Sequence, residues 1–159
     1  ESFDVIFSNA AFHWITDQKQ LLDSLYTALR DNSSLVCEFG AHGNIKQIET
    51  AYTSVTKARQ KNYESPFYFP TTEEYYALLR QTGFQIEHLY DFDRPTPLPG
   101  GKDGLRKWMP QFFGSDLVQY SPDDQSEIFC NVEETLKNDA FDGTNWVADY
   151  RRLRAIARK

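Results

Sequence analysis

The run Phe3-Asp4-Val5-Ile6-Phe7, which leads into Ser8-Asn9 and then the cluster Ala10-Ala11-Phe12-His13-Trp14, constrains this chain more than any other feature. A nearly continuous apolar run of this length fits a parallel strand covered on both faces. In open α/β sheets, ligands bind beyond the carboxyl ends of such strands, which here is the polar Ser8-Asn9 tip. A central strand needs two neighbours, and the two residues ahead of Phe3 are too few to form one. The expectation is a mid-sheet strand belonging to a sheet that this sequence does not supply in full.

The segments that follow alternate in type. Thr16-Asp17 offers a helix N-cap, and Leu21, Leu22, Leu25 and Leu29 recur at helical spacing. Asp31 to Ser34 reads as a turn into a second buried strand, Leu35 to Phe39, followed by the loop Gly40-Ala41-His42-Gly43-Asn44. Asn44 with Gln47 forms a capping pattern for a helix that carries Ile45, Ile48, Tyr52 and Val55 inward. Ser65 to Pro70 breaks that helix. Thr71 with Glu74 starts the next, Tyr75, Leu78 and Leu79 give its buried face, and Gly83 stops it. Phe84, Ile86, His88, Tyr90 and Phe92 then alternate with period two, which predicts a strand with all five on one face.

The order strand, helix, strand, helices, strand defines an α/β domain without internal repeats. The stiff loop Arg94-Pro95-Thr96-Pro97-Leu98-Pro99-Gly100-Gly101 interrupts it and leads to a helix with Leu105, Trp108, Met109 and Phe112 on one side. Ser121-Pro122-Asp123-Asp124 is a strong start for another, lined by Ile128, Val132 and Leu136. Asp142-Gly143 turns the chain into a last strand from Trp146 to about Lys159. Residues 94–145 thus read as a helical insertion between two late strands, placed to form a lid over the carboxyl edge.

Composition narrows the partners. A chain of 159 residues with 12 Phe and 9 Tyr can build the core of one domain. A net charge of −6 argues against nucleic acid, whose phosphates call for a basic face. Arg151, Arg152, Arg154, Arg158 and Lys159 read as the solvated face and frayed end of the last strand. No apolar run reaches membrane-spanning length and no leader precedes the first strand, so the expected address is cytoplasmic with no membrane partner. Cys37 and Cys130 read as small core residues, and the scattered His13, His42 and His88 offer no metal-ligand spacing.

These motifs in their order resemble class I S-adenosylmethionine-dependent methyltransferases, nearest to the trans-aconitate methyltransferase-like group. The resemblance rests on residues 3–14, Glu38-Phe39-Gly40 with Gly43-Asn44, Phe69-Pro70-Thr71, Arg94 to Leu98 with Trp108, and Asp149-Tyr150-Arg151-Arg152-Leu153-Arg154. It spans the whole chain and implies strands four, five, seven and six of the family's Rossmann-like sheet, with strand seven antiparallel and inserted between its neighbours. Residues 1–159 would then be a partial methyltransferase domain without the cofactor-binding half. The family's Gly-rich loop and its ribose-binding acid have no counterpart here; the Gly100-Gly101 pair follows a proline loop rather than a strand. The chain alone is therefore expected to be inactive.

The resemblance implies S-adenosylmethionine as cofactor, with Ser8, Asn9 and Ala10 at its amino-acid end and Trp14 as a wall. His42, Asn44, Arg94 and Trp108 are the implied contacts to a small-molecule substrate, of which small carboxylic acids are the expected class. His13 carries two readings. As a general base it would deprotonate a hydroxyl or amine acceptor. A carboxylate is already ionised near neutral pH and needs only positioning, which leaves His13 a contact or a packing residue. Arg94 either clamps a substrate carboxylate or pairs with Asp91 or Asp93. A different class of function, a non-catalytic binding or assembly module on a methyltransferase-like half-fold, agrees with the missing glycine loop. A nicotinamide-dependent dehydrogenase half shares the sheet logic but leaves the late antiparallel strand unexplained. An unpaired first strand would also drive self-association through residues 3–8.

Overall fold

The computed structural model describes residues 2–159. In chain order the elements are β1 (Phe3–Asn9), α1 (Gln18–Ala28), β2 (Leu29–Gly40), α2 (Lys46–Ala58), α3 (Thr72–Thr82), β3 (Gln85–Asp93), β4 (Thr96–Pro97), α4 (Gly104–Leu117), α5 (Pro122–Ala140), β5 (Val147–Ala148) and β6 (Arg151–Arg158), with short 3-10 turns at Phe12–Trp14 and Gly101–Asp103. They gather into two units. The first runs to Asn44 and adds Pro66–Arg94 and Arg151–Lys159; the second holds Ile45–Ser65 and Pro95–Tyr150.

The first unit is a four-stranded mixed sheet in the order β1-β2-β6-β3. β1 and β2 are parallel, while β6 lies between β2 and β3 and runs antiparallel to both. On one face Leu35, Cys37 and Phe39 of β2 and Leu153, Ala155 and Ala157 of β6 meet Leu22 of α1 and Tyr75 and Leu79 of α3 in a single core. The alanines of β6 pair with Leu35 and Cys37, and their small side chains leave room for the helices to close on the sheet.

Several expectations are corrected. β1 is an edge strand among the described residues, in line with the unpaired first strand expected, but Phe3, Val5 and Phe7 are exposed by 50%, 59% and 71% rather than covered. Only Ile6 of this run packs against the core, because α1 and α3 lie on one side of the sheet alone. The expected turn at Asp31–Ser34 is an excursion inside β2: the partners of β1 jump from Leu29 to Ser34, with Asn32 at positive φ. In β3 the register slips between Ile86 and His88, so Ile86 and Leu89 join the core while His88, Tyr90 and Phe92 turn to the other face. One extra residue reverses the alternation, as a bulge must. The last strand is divided: β5 pairs with β4, and β6 enters the main sheet after two intervening residues. β6 is the antiparallel strand between two neighbours that was expected, but its end is paired rather than frayed, with the Lys159 N–H on the Ser33 carbonyl, and Arg151, Arg154 and Arg158 are held in ion pairs.

The second unit is helical apart from the β4–β5 pair. α2, α4 and α5 bury Ile48, Tyr52, Leu105, Met109, Phe113, Ile128, Val132 and Leu136. Tyr52 stacks on Phe113 with ring centroids 4.1 Å apart, and its hydroxyl donates to Asp116 Oδ2 at 2.6 Å. Burial, with the Asp116 contact adding to it, pushes the Tyr52 phenol well above its ordinary pKa. α2 starts differently from expectation. Its N-cap position is Ile45, in the left-handed region, and the Gln47 N–H donates to Asp149 Oδ2 at 2.7 Å. The cap comes from a residue far along the chain and not from Asn44. Cys130 is exposed, not a core residue, since it lies about 200° around α5 from the buried Ile128.

Candidate functional site

The carboxyl ends of β1 and β2 lie side by side, with Ser8 beside Cys37 and Asn9 beside Glu38. Beyond Asn9 the chain turns sharply. Ala10 adopts φ 57°, a conformation that costs a non-glycine residue about 1 kcal/mol or more. The turn is held because the Ala10 N–H donates to the Glu38 carbonyl at 2.7 Å. The segment after it is anchored twice more. Gln18 Nε2 donates to the Phe12 carbonyl at 2.8 Å, and the Tyr68 N–H donates to the His13 carbonyl at 2.9 Å.

His13 is buried in the 3-10 turn, within 5.6–6.2 Å ring-to-ring of Trp14, Phe67 and Phe69. Its Nδ1 accepts the Gly40 N–H at 3.3 Å. Burial, reinforced by the charge of Arg152, lowers its pKa to about 4, so the ring is neutral at physiological pH. A neutral imidazole that accepts at Nδ1 carries its proton on Nε2 and is a hydrogen-bond donor there. Gly40 makes this packing possible: a Cβ at that position would lie 2.4 Å from the Phe69 ring. Trp14 is half exposed and meets Phe67 edge-on at 4.8 Å.

Glu38 is the charged centre of this end of the sheet. It is only 8% exposed, yet it sits inside an apolar strand. Arg94 Nη1 donates to its Oε1 at 2.8 Å, and Arg154 donates to its Oε2 from Nε at 2.9 Å and from Nη2. Arg154 also reaches the Tyr90 hydroxyl at 3.1 Å and lies over the Phe92 ring. The expected pairing of Arg94 with Asp91 or Asp93 is replaced, because Arg151 takes both aspartates, at 3.0 and 2.6 Å.

Of the residues singled out in the sequence, the first unit contains Ser8, Asn9, Ala10, His13, Trp14, His42, Asn44 and Arg94. His42 is exposed, with its backbone N–H on the Pro70 carbonyl at 2.8 Å. Asn44 is buried and its Oδ1 accepts the Arg151 N–H at 2.9 Å, a structural bond that fixes the start of β6. Trp108 belongs to the second unit, where it is buried, stacks on Phe112 and donates from Nε1 to the Tyr150 hydroxyl at 2.7 Å. Sequence reasoning missed Glu38, Phe67, Phe69 and Arg154 as parts of the site. A glutamate between Cys37 and Phe39 in a buried strand was the available signal, since such a charge demands a cationic partner. Among the described residues no group of three or more His, Cys, Asp and Glu side chains could hold a metal ion, and no helix is long and apolar enough to cross a membrane.

Residues 1–37, which span β1, its tip, α1 and most of β2, match the family model described as a methyltransferase domain. Over its full length the chain is 31% identical to an uncharacterised methyltransferase, C70.08c, of Schizosaccharomyces pombe, and spans 64% of that protein. A 49-residue stretch is 37% identical to the malonyl-[acyl-carrier protein] O-methyltransferase of Calditerrivibrio nitroreducens, covering 31% of this chain and 20% of that enzyme. In fold it is similar to the BH2331 protein of Bacillus halodurans, with a TM-score of 0.59 at 13% identity over all of this chain and 65% of the other. The chain thus spans a little under two thirds of the length of the relative it matches end to end.

Proposed function

We propose that this chain is part of a class I S-adenosylmethionine-dependent methyltransferase, a small-molecule enzyme of the trans-aconitate methyltransferase-like kind. In this reading it supplies the fourth, fifth, seventh and sixth strands of the family's sheet and lacks the main cofactor loop, so that it is inactive by itself. The observation that carries the proposal is the match of residues 1–37 to a methyltransferase domain, because that segment builds the β1 tip at the carboxyl edge of the sheet.

S-adenosylmethionine, when bound, supplies a methyl group on a sulfonium centre. The residues here fit its amino-acid end only: Asn9 and Ala10 are exposed at the tip, the turn is fixed by Glu38, and half-exposed Trp14 offers an apolar wall. The residues at the edge also bear on the acceptor. With Nδ1 occupied by Gly40, His13 has no accepting nitrogen left in its neutral form, and the oxygens of Glu38 are engaged by two arginines. A hydroxyl or amine acceptor calls for a base that neither group offers, whereas a carboxylate oxygen is nucleophilic as it stands. His13 is then a donor that orients the acceptor. The partial relative named for O-methylation of a malonyl group, which ends in a carboxylate, supports the same reading.

The test is calorimetry and methyl transfer with the protein encoded by the complete gene, using S-adenosylmethionine and a panel of small di- and tricarboxylic acids. The complete protein is expected to bind the cofactor at micromolar levels and to methylate an acid, with Asn9→Ala weakening cofactor binding. This chain alone is expected to bind it far more weakly. A complete protein that binds no S-adenosylmethionine would leave the binding-module reading in its place.

A further inference from the structure

The two arginines on Glu38 are not equivalent. Arg154 approaches from β6, in register with Glu38, and makes two N–H contacts to Oε2 while Tyr90 braces its other side. Arg94 approaches from just beyond the end of β3 and makes its 2.8 Å contact to the other oxygen, with its side chain 54% exposed. Glu38 is 11% exposed at the side chain, so stripping it of both cations would strand a buried charge, which is strongly unfavourable. Removing Arg94 alone does not strand it. Arg154 stays in place, and a pair whose cation is half in water contributes little.

We propose that Glu38 is a positioning residue that holds Arg94 at the carboxyl edge and yields it to the carboxylate of an incoming ligand, while Arg154 remains to neutralise Glu38. This rests on the proposed acid acceptor and adds how the site takes it. Arg94 is the anion-binding arginine, Arg154 is structural, and Glu38 competes with the ligand for Arg94 and so sets its affinity. The Glu38 carbonyl also pins Ala10, which ties the position of this switch to the tip of β1.

The probe is tricarballylate, titrated into the chain at constant ionic strength and followed by calorimetry and by the arginine Nε–H signals in 15N-resolved NMR. In the wild-type chain the Arg94 signal is expected to move and the Arg154 signal to stay. Glu38→Gln is expected to tighten binding about five- to tenfold by removing the competitor, and Arg94→Gln to weaken it at least tenfold. A folded Glu38→Gln variant that binds equally or more weakly overturns the proposal. If that variant does not fold, the wild-type spectra decide: movement of Arg154, or of neither signal, overturns it. An equal response to inorganic phosphate would overturn the assignment to carboxylates. The titration contains no cofactor and reads no methyl transfer, so its failure is distinct from failure of the proposed reaction.

Discussion

Both faces of the four-stranded sheet carry apolar rows, and those rows end in opposite states. One face buries Leu35, Cys37, Phe39, Leu153, Ala155 and Ala157 under α1 and α3. The other carries Phe3, Val5 and Phe7 in water at the β1 edge and gives way, one row further, to the polar line Asn9–Glu38–Arg154–Tyr90 across all four strands. Apolar composition is therefore a statement about what a surface needs, not about what covers it. The covered face sets how stably the unit folds. The second face, through its polar row, carries the ion pairs on which the proposed binding at the carboxyl edge rests.

The sharpest way to break this contrast is to truncate one aromatic on each face. Phe39→Ala removes a fully buried ring that packs edge-on against Tyr75 and tilted against Phe12, so a loss of about 3–5 kcal/mol of stability is expected in urea unfolding. Phe7→Ser, in the same sheet, is expected to change the stability of the folded monomer by less than about 0.5 kcal/mol. Comparable losses at the two positions would mean that the exposed face is as well packed as the core.

His13 sits where the two faces meet the carboxyl edge, and its titration sharpens the comparison. Its folded pKa of about 4 lies below the ordinary 6.5, so between these values the unfolded chain binds the proton and the folded chain does not. The stability that depends on neutral His13 is fully present above pH 6.5 and is lost as the pH falls towards 4. The full loss is about 3 kcal/mol, from 1.36 kcal/mol per unit of pKa. Urea unfolding at pH 7 and pH 4.5 should show most of that difference in the wild type and a smaller one in His13→Gln. An unchanged slope in the variant would place the acid sensitivity elsewhere.

What the sequence disclosed follows the range of the interaction responsible. The start of α3 was legible because its capping box is local: Thr71 accepts from Glu74 N–H and Glu74 reaches back to Thr71 N–H. The start of α2 was not, since its partner Asp149 lies about a hundred residues away. The site divides the same way. The Ser8-Asn9 tip could be read from where an apolar run ends, whereas the partner of Arg94 could not, because Asp91 and Asp93 are nearer in sequence than Glu38 and only the strand order gives them to Arg151. In β3 a single inserted residue moved His88, Tyr90 and Phe92 to the other face, and period-two reasoning cannot see a bulge in advance.

The smallest expected effect concerns the exposed edge itself. Among the described residues β1 is hydrogen-bonded on one side only, to β2, and its outward residues Phe3, Val5 and Phe7 are apolar. An unpaired strand edge with an apolar flank pairs with another such edge, and two copies related by a two-fold axis would meet antiparallel through residues 3–8. Light scattering over a concentration series of this chain is accordingly expected to show self-association. Phe7→Ser removes one ring from each copy of that contact and should weaken association about tenfold, or about 1.4 kcal/mol. Asp4 is expected to restrain this tendency, because its ion pair with Arg30 at 2.9 Å places charge on the same edge strand, and charged side chains are a common means of blunting an edge. Asp4→Ala should therefore shift association in the opposite direction to Phe7→Ser. A chain that stays monomeric at high concentration, with neither variant altering the profile, would mean that the exposed row of β1 is inert and that the two faces differ in cover but not in consequence.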